Sequence, residues 1–97
     1  MEPLILEGDV DMDSVDEVLG YLLRQLEAHD ELGDDDPVEI DASGVTYLGS
    51  HGLHMLMEFR ARSGREVVLV GLRDEMRRAL ELTGLDQIFE SRDTGPD

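Results

Sequence analysis

Apolar positions along this chain fall by turns into short compact runs and into stripes at helical spacing, and the alternation predicts strand, helix, strand, helix, strand, helix. Leu4-Ile5-Leu6 is a compact run that ends at Gly8, the pattern of a strand followed by a turn. Val15, Val18, Leu19, Leu22, Leu23 and Leu26 then recur at i, i+3, i+4 and i+7, and Ser14-Val15-Asp16-Glu17 has the S-x-x-E form of a capping box. A helix is therefore predicted from Ser14, its stripe packed on a sheet. Residues 38–41, VEID, alternate with the two-residue period of a strand, residues 42–49 are small and turn-rich, and from Ser50 the helical period returns. In that central helix Leu53, Met55, Leu56, Met57 and Phe59 cover more than half the circumference, so one side should lie on the sheet and the other be partly covered or presented to a partner.

Ser63-Gly64-Arg65 closes the central helix, and the strand at 66–70 contains the unbroken run Val67-Val68-Leu69-Val70, which implies cover on both faces or a central place in the sheet. Strand, helix and strand of these lengths make a parallel βαβ unit with a right-handed crossover. Gly71-Leu72 turns into a third helix over 73–83, with Met76, Ala79 and Leu80 inward and Gly84 as its left-handed stop. Residues 90–97 are polar and carry Gly and Pro, the composition of a frayed tail. The fold class expected is a small α/β domain, with a parallel or mixed sheet of about four strands packed by about three helices.

Candidate chemistry gathers where the second strand hands over to the central helix. Ser50 stands at the first position of that helix, where a hydroxyl is a favoured cap for the unpaired N–H groups. The same place tolerates a phosphate, because the amides and the helix dipole both favour negative charge. Ser50 is thus readable either as a cap or as a phosphoacceptor. Ser43 and Thr46 read as turn formers before secondary acceptors, and Gly44, Gly49 and Gly52 as positions chosen for backbone conformation or close packing.

The wording of this stretch resembles the STAS domains of bacterial anti-sigma factor antagonists. In those proteins a strand ends in Asp-x-Ser-Gly-Val and an Asp-Ser-x-Gly-Leu motif opens the next helix. Here the two halves are Asp41-Ala42-Ser43-Gly44-Val45 and Gly49-Ser50-His51-Gly52-Leu53, with Gly49 where the family has Asp. The Gly84-Leu85 pair and the apolar Ile88-Phe89 that follows are also similar to the family. The resemblance spans nearly the whole chain, with residues 1–90 as the domain and 91–97 as a polar tail. Family members usually carry one more strand before Leu4, of which this chain holds little.

What the resemblance implies is protein binding. Ser50 would be the phosphoacceptor, and Ser43, Gly44, Thr46, Gly49, Ser50, His51, Gly52 and His54 would line the surface where an anti-sigma factor with serine kinase activity docks. Dephosphorylated, the domain would sequester that factor and free a sigma factor for transcription. Two other classes compete with this reading. The fold could serve as a constitutive subunit of a lipid-transport ABC complex or a stress-signalling scaffold, or the chain could be an enzyme or metal protein built on His51, His54 and Glu58.

Composition narrows the field further. The 97 residues, 40% of them hydrophobic, allow one modest core. A net charge of −16 argues against nucleic acid and against anionic membrane surfaces, and suits a basic protein partner as well as plain solubility. There is no cysteine, no apolar run of membrane-spanning length and no basic signal-peptide start, so a cytoplasmic protein is expected. All eight basic residues are arginine, a choice typical of GC-rich bacterial genomes.

Catalytic and metal patterns are weak. The acidic loop at 30–37 lacks the EF-hand spacing. His51, His54 and Glu58 share a helix face but lack the H-E-x-x-H order, and the default for them is an exposed polar face. No G-x-S-x-G elbow or phosphate-cradling G-x-x-x-x-G-K-[ST] loop is present, and His51 beside Ser50 on a helix cannot face it as a base. No enzymatic activity, metal or cofactor is expected.

Overall fold

A computed structural model describes residues 3–28 and 36–92. In chain order the elements are β1 (Leu4–Val10), α1 (Val15–Glu27), β2 (Val38–Leu48), α2 (Ser50–Ser63), β3 (Val67–Val70), α3 (Asp74–Thr83), a 3-10 turn (Leu85–Gln87) and β4 (Glu90–Arg92). The four strands are all parallel and stand in the order β1-β2-β3-β4, so each is hydrogen-bonded to its neighbour in sequence. Parallel neighbours need crossovers, and the three helices supply them.

The helices bury their apolar sides in one shared core. Leu19 and Leu22 of α1, Leu53, Met55, Leu56 and Phe59 of α2, and Met76 and Leu80 of α3 form a single cluster with Leu4, Leu6 and Val10 of β1, Val38, Ile40, Ala42 and Val45 of β2, and Val67 and Leu69 of β3. A run of crossovers of one hand along a sheet in sequential order places every helix on the same side, and the cluster has that composition. The molecule is therefore two-layered.

The opposite face of the sheet carries the alternate residues Ile5, Glu39, Asp41, Val68 and Val70. Val68 lies outside the shared cluster and is nonetheless only 3% exposed. Its register neighbours are Glu39 on β2 and Glu90 on β4. Arg92 donates to Glu90 Oε2 and, from Nη1, to Glu39 Oε2 at 3.4 Å, so the ion pairs pass across the valine. The Arg92 guanidinium is held above its ordinary pKa, first by the hydrogen bond to Glu90 and then by that carboxylate's charge. Of the two readings of the unbroken β3 run, a central place in the sheet is the one realised: among the described residues no second layer of helix covers Val68.

Local structure departs from the sequence expectation at several points. β1 does not stop at Gly8 but passes through it, at φ 84°, to Val10. β2 does not stop at Asp41: residues 42–48, expected as a turn-rich connection, continue the strand along β1. Between Ile5 and Glu7 the partner strand advances from Asp41 to Gly44, and between Gly8 and Asp9 from Val45 to Tyr47. Each step gives β2 one extra residue, so its small residues form bulges within a paired strand.

The capping box at Ser14 does not form. Ser14 adopts a helical conformation and makes no cap bond; its Oγ instead donates to Asp9 O and accepts from Asp11 N, both at 3.0 Å. The carboxylate of Asp11 takes over, accepting from the N–H groups of Asp13 and Ser14 at 3.0 and 3.2 Å. Residues 90–92, expected to fray, form β4, and Arg92 O accepts from Gly71 N at 2.8 Å. The acidic loop at 30–37 lies outside the described residues except for Asp36 and Pro37, as does the tail beyond Arg92.

α2 and α3 end on glycines in the left-handed region, Gly64 at φ 67° and Gly84 at φ 79°. A Cβ on Gly64 would meet no atom within 4 Å, so the cost of a side chain there is conformational alone. Gly64→Ala is expected to lower unfolding free energy by about 1 kcal/mol, read from urea unfolding with an unchanged m-value.

Candidate functional site

Ser50 is the first residue of α2, but it is not the cap. Gly49 holds that position in extended conformation (φ −89°, ψ −171°), its carbonyl accepts from Leu53 N at 3.0 Å, and its N–H donates to Val10 O at 3.3 Å. The Ser50 hydroxyl therefore makes no cap bond and stands exposed at the carboxyl end of β2. Helices α1 and α3 each carry two acidic residues in the first turn, whereas α2 carries none. Its N-terminal dipole is left uncompensated by its own side chains.

The orientation of this turn is fixed by Gly52, which is buried on the strand side of α2. A Cβ at that position would stand 2.5 Å from Leu48 Cδ1, 3.0 Å from Val10 Cγ1 and 3.1 Å from the Val10 carbonyl oxygen. The helix can lie this close to the ends of β1 and β2 only where residue 52 has no side chain. Gly52 is thus a packing residue beneath the surface, not part of what a partner would touch.

Gly49 is shaped by a different neighbour. A Cβ there would fall 2.6 Å from the hydroxyl of Tyr47 and 3.0 Å from two of its ring carbons. Tyr47 is 53% exposed, so its ring folds over the glycine from the solvent side and could swing away. The place of the acid that precedes the serine in the resembling motif is therefore filled by a phenol. No feature of local spacing announces this.

Ser43 and Thr46 are committed to local bonds. Ser43 donates from Oγ to Asp41 Oδ1 at 2.7 Å and from its N–H to the same oxygen at 3.0 Å, an Asx-type turn inside the bulged strand. Thr46 Oγ1 donates to Asp9 Oδ1 across the β1–β2 pair. Gly44 packs on Glu7, where a Cβ would come within 3.0 Å of the Glu7 Cβ. At about 3.3 Å per residue, the strand from Ser43 to Leu48 spans roughly 16 Å. Ser43 and Gly44 thus lie along the sheet, apart from the helix rim where Ser50, His51 and His54 stand together.

Two grooves flank that rim. One, of about 210 Å³, is lined by Ser50, Leu53, His54, Met57, Thr83 and Leu85, between α2 and the α3 corner. The other, of about 140 Å³, lies between α1 and α2 and is lined by Val15, Asp16, Leu19, His51, His54, Met55 and Glu58. His54 borders both. Met57 is 39% exposed beside the first groove, which matches the broad apolar spread of α2. Thr83 and Leu85 join the site through tertiary packing and have no signature in the sequence around Ser50.

Glu58 is paired with Arg62 at 2.7 Å, one helical turn on. Among the described residues, no group of three His, Asp or Glu side chains converges closely enough to hold a metal ion. No helix among those residues is long and apolar enough to cross a membrane.

Replacing Gly52 by Ala should lower stability by about 1–3 kcal/mol, the usual range for overpacking, in chemical denaturation. Adding Leu48→Ala should restore only part of it, because the Val10 carbonyl cannot withdraw as a leucine methyl can. Full restoration would show that the leucine alone sets the spacing.

Comparison with protein families gives a match of the model described as "Mlab, STAS domain" to residues 3–90, the span of the alternating strands and helices. STAS domains generally mediate protein–protein interaction and have the fold of the anti-sigma factor antagonists. By that match this chain belongs to the STAS-domain family.

Proposed function

We propose that this chain is an anti-sigma factor antagonist, acting in the cytoplasm by binding an anti-sigma factor with serine kinase activity, and that phosphorylation of Ser50 ends the complex. The observation that carries the reading is the Ser50 hydroxyl, exposed at the start of α2 and engaged in no cap bond, with Gly49 in the cap position. A kinase can reach it, and adding a phosphate breaks no cap. The docking surface is the rim of Ser50, His51 and His54 with the exposed parts of β2 at Ser43, Gly44 and Thr46. Gly49 and Gly52 set the position of that rim from beneath.

Phosphorylation adds roughly −1.5 to −2 charges and three acceptor oxygens. The first turn of α2 favours that charge through its dipole and has no acid of its own to repel it. The domain keeps its fold while the docking surface gains negative charge and bulk, so the effect falls on a partner fitted to a neutral hydroxyl. The net charge of −16 steers the first encounter with a basic partner at long range, apart from the close fit at Ser50. The chain acts by binding and performs no catalysis of its own.

Gly49 supports a second reading, in which no kinase acts and the domain is a constitutive subunit of a lipid-transport ABC complex or a stress-signalling scaffold. Here the acid of the resembling motif is missing and Tyr47 covers its place.

Incubation with ATP and a cognate anti-sigma factor kinase separates the two. Label that disappears in Ser50→Ala supports the switch, and Ser50→Asp should then weaken binding at least tenfold, about 1.4 kcal/mol. Gly49→Asp should raise the labelling rate. An unlabelled wild type whose binding is unchanged in Ser50→Ala supports the scaffold.

A further inference from the structure

Ser50, His54 and Met57 form one stripe of α2, at i, i+4 and i+7, and all three line the groove of about 210 Å³ that α2 shares with Thr83 and Leu85. Long side chains on a helix lean toward its N-terminus, so the imidazole of His54 is carried back over the turn that begins at Ser50. Both residues are exposed, and among the described residues no acidic side chain lines this groove. In a chain with 24 acidic residues against eight basic ones, a negative group added there meets little local repulsion. His51 is placed differently. It lines the groove on the α1 side with Asp16 and Glu58, and as the sequence neighbour of Ser50 it is turned about 100° away around the helix.

We infer that His54 is the positioning residue for a phosphate on Ser50: its imidazolium donates to a phosphate oxygen and turns the group toward the groove between α2 and the α3 corner. This role rests on the reading of Ser50 as a phosphoacceptor and adds where the phosphate goes. Residues four apart on a helix have Cβ atoms about 5–6 Å from one another, a gap that a phosphoserine and an imidazole close from either side. His54 also borders the α1 groove, so the titratable and charged groups around it are His51 and Glu58 on α2 and Asp16 on α1, with none lining the α3 side. Glu58, one turn beyond, is engaged by Arg62 at 2.7 Å, which weakens its claim on the ring. A phosphate dianion favours the protonated ring and the protonated ring favours the dianion, so the two titrate as a coupled pair and their midpoints move apart. On the alkaline side of neutrality the ring loses its proton, and the hold on the phosphate relaxes.

Phosphorus NMR of the full chain carrying phosphoserine at position 50, introduced during translation so that no kinase takes part, tests the inference. The midpoint of the phosphate titration should lie about half a pH unit or more lower with His54 present than in His54→Gln, a change of about threefold in proton affinity. His54→Lys, which retains a cation at the same place, should keep the midpoint low. The ring protons of His54 should in turn titrate at higher pH in the phosphorylated chain than in the unmodified one. Equal phosphate midpoints in the wild type and His54→Gln overturn the inference, and so does a larger displacement in His51→Gln than in His54→Gln. Because the phosphate is installed without a kinase, a failure here and a failure of the kinase reading are separate results.

Discussion

The site depends on a contact too close for any side chain. α2 begins against the ends of β1 and β2, with the Val10 carbonyl 3.1 Å and the Leu48 methyl 2.5 Å from where a Cβ of residue 52 would lie. That approach puts Gly49 within reach of Val10 O and in the cap position of the helix, so Ser50 falls one residue further on with its hydroxyl in no cap bond. Burial on one side of the turn thus produces exposure on the other. Two residues apart, Gly52 and Ser50 have opposite surroundings because a helical turn separates their directions by about 200°.

The same economy runs through the sheet. All three helices cover one face, and the alternate residues on the other must make their own terms with water. Glu39 and Asp41 are charged and need no cover, whereas Val68 does, and the Glu39–Arg92–Glu90 pairs supply it. Exposed ion pairs contribute little to stability by Coulomb attraction. Here they join the register neighbours on either side of Val68, Glu39 and Glu90.

Periodicity revealed most of this architecture. The stripes of α1 and α3, the glycine stops at 64 and 84, and the βαβ alternation are local patterns, and each element appears close to its expected place. What could not be read depends on partners distant in sequence. β2 looked finished at Asp41 because its small residues resemble a turn; they are strand because β1 lies alongside and the bulges absorb the surplus. Glu90-Ser91-Arg92 has no apolar signal and pairs through its backbone with β3. Ser14 gave up its cap to Asp11, three residues earlier, when its hydroxyl found Asp9 and Asp11. At the site the serine was legible, and Tyr47 over Gly49 and the groove closed by Thr83 and Leu85 were not.

The strand order also bears on how the chain is made. Because every strand pairs with its sequence neighbour, each strand pairing spans one crossover, and loop-closure entropy stays small. As the polypeptide leaves the ribosome, β1 can pair with β2 and α1 can pack on β1 before α2 is synthesised, and every later unit joins a surface already present. The last strand is three residues long and the molecule's far border waits for it. Among the described residues β4 is the last strand to join, and it hems the sheet.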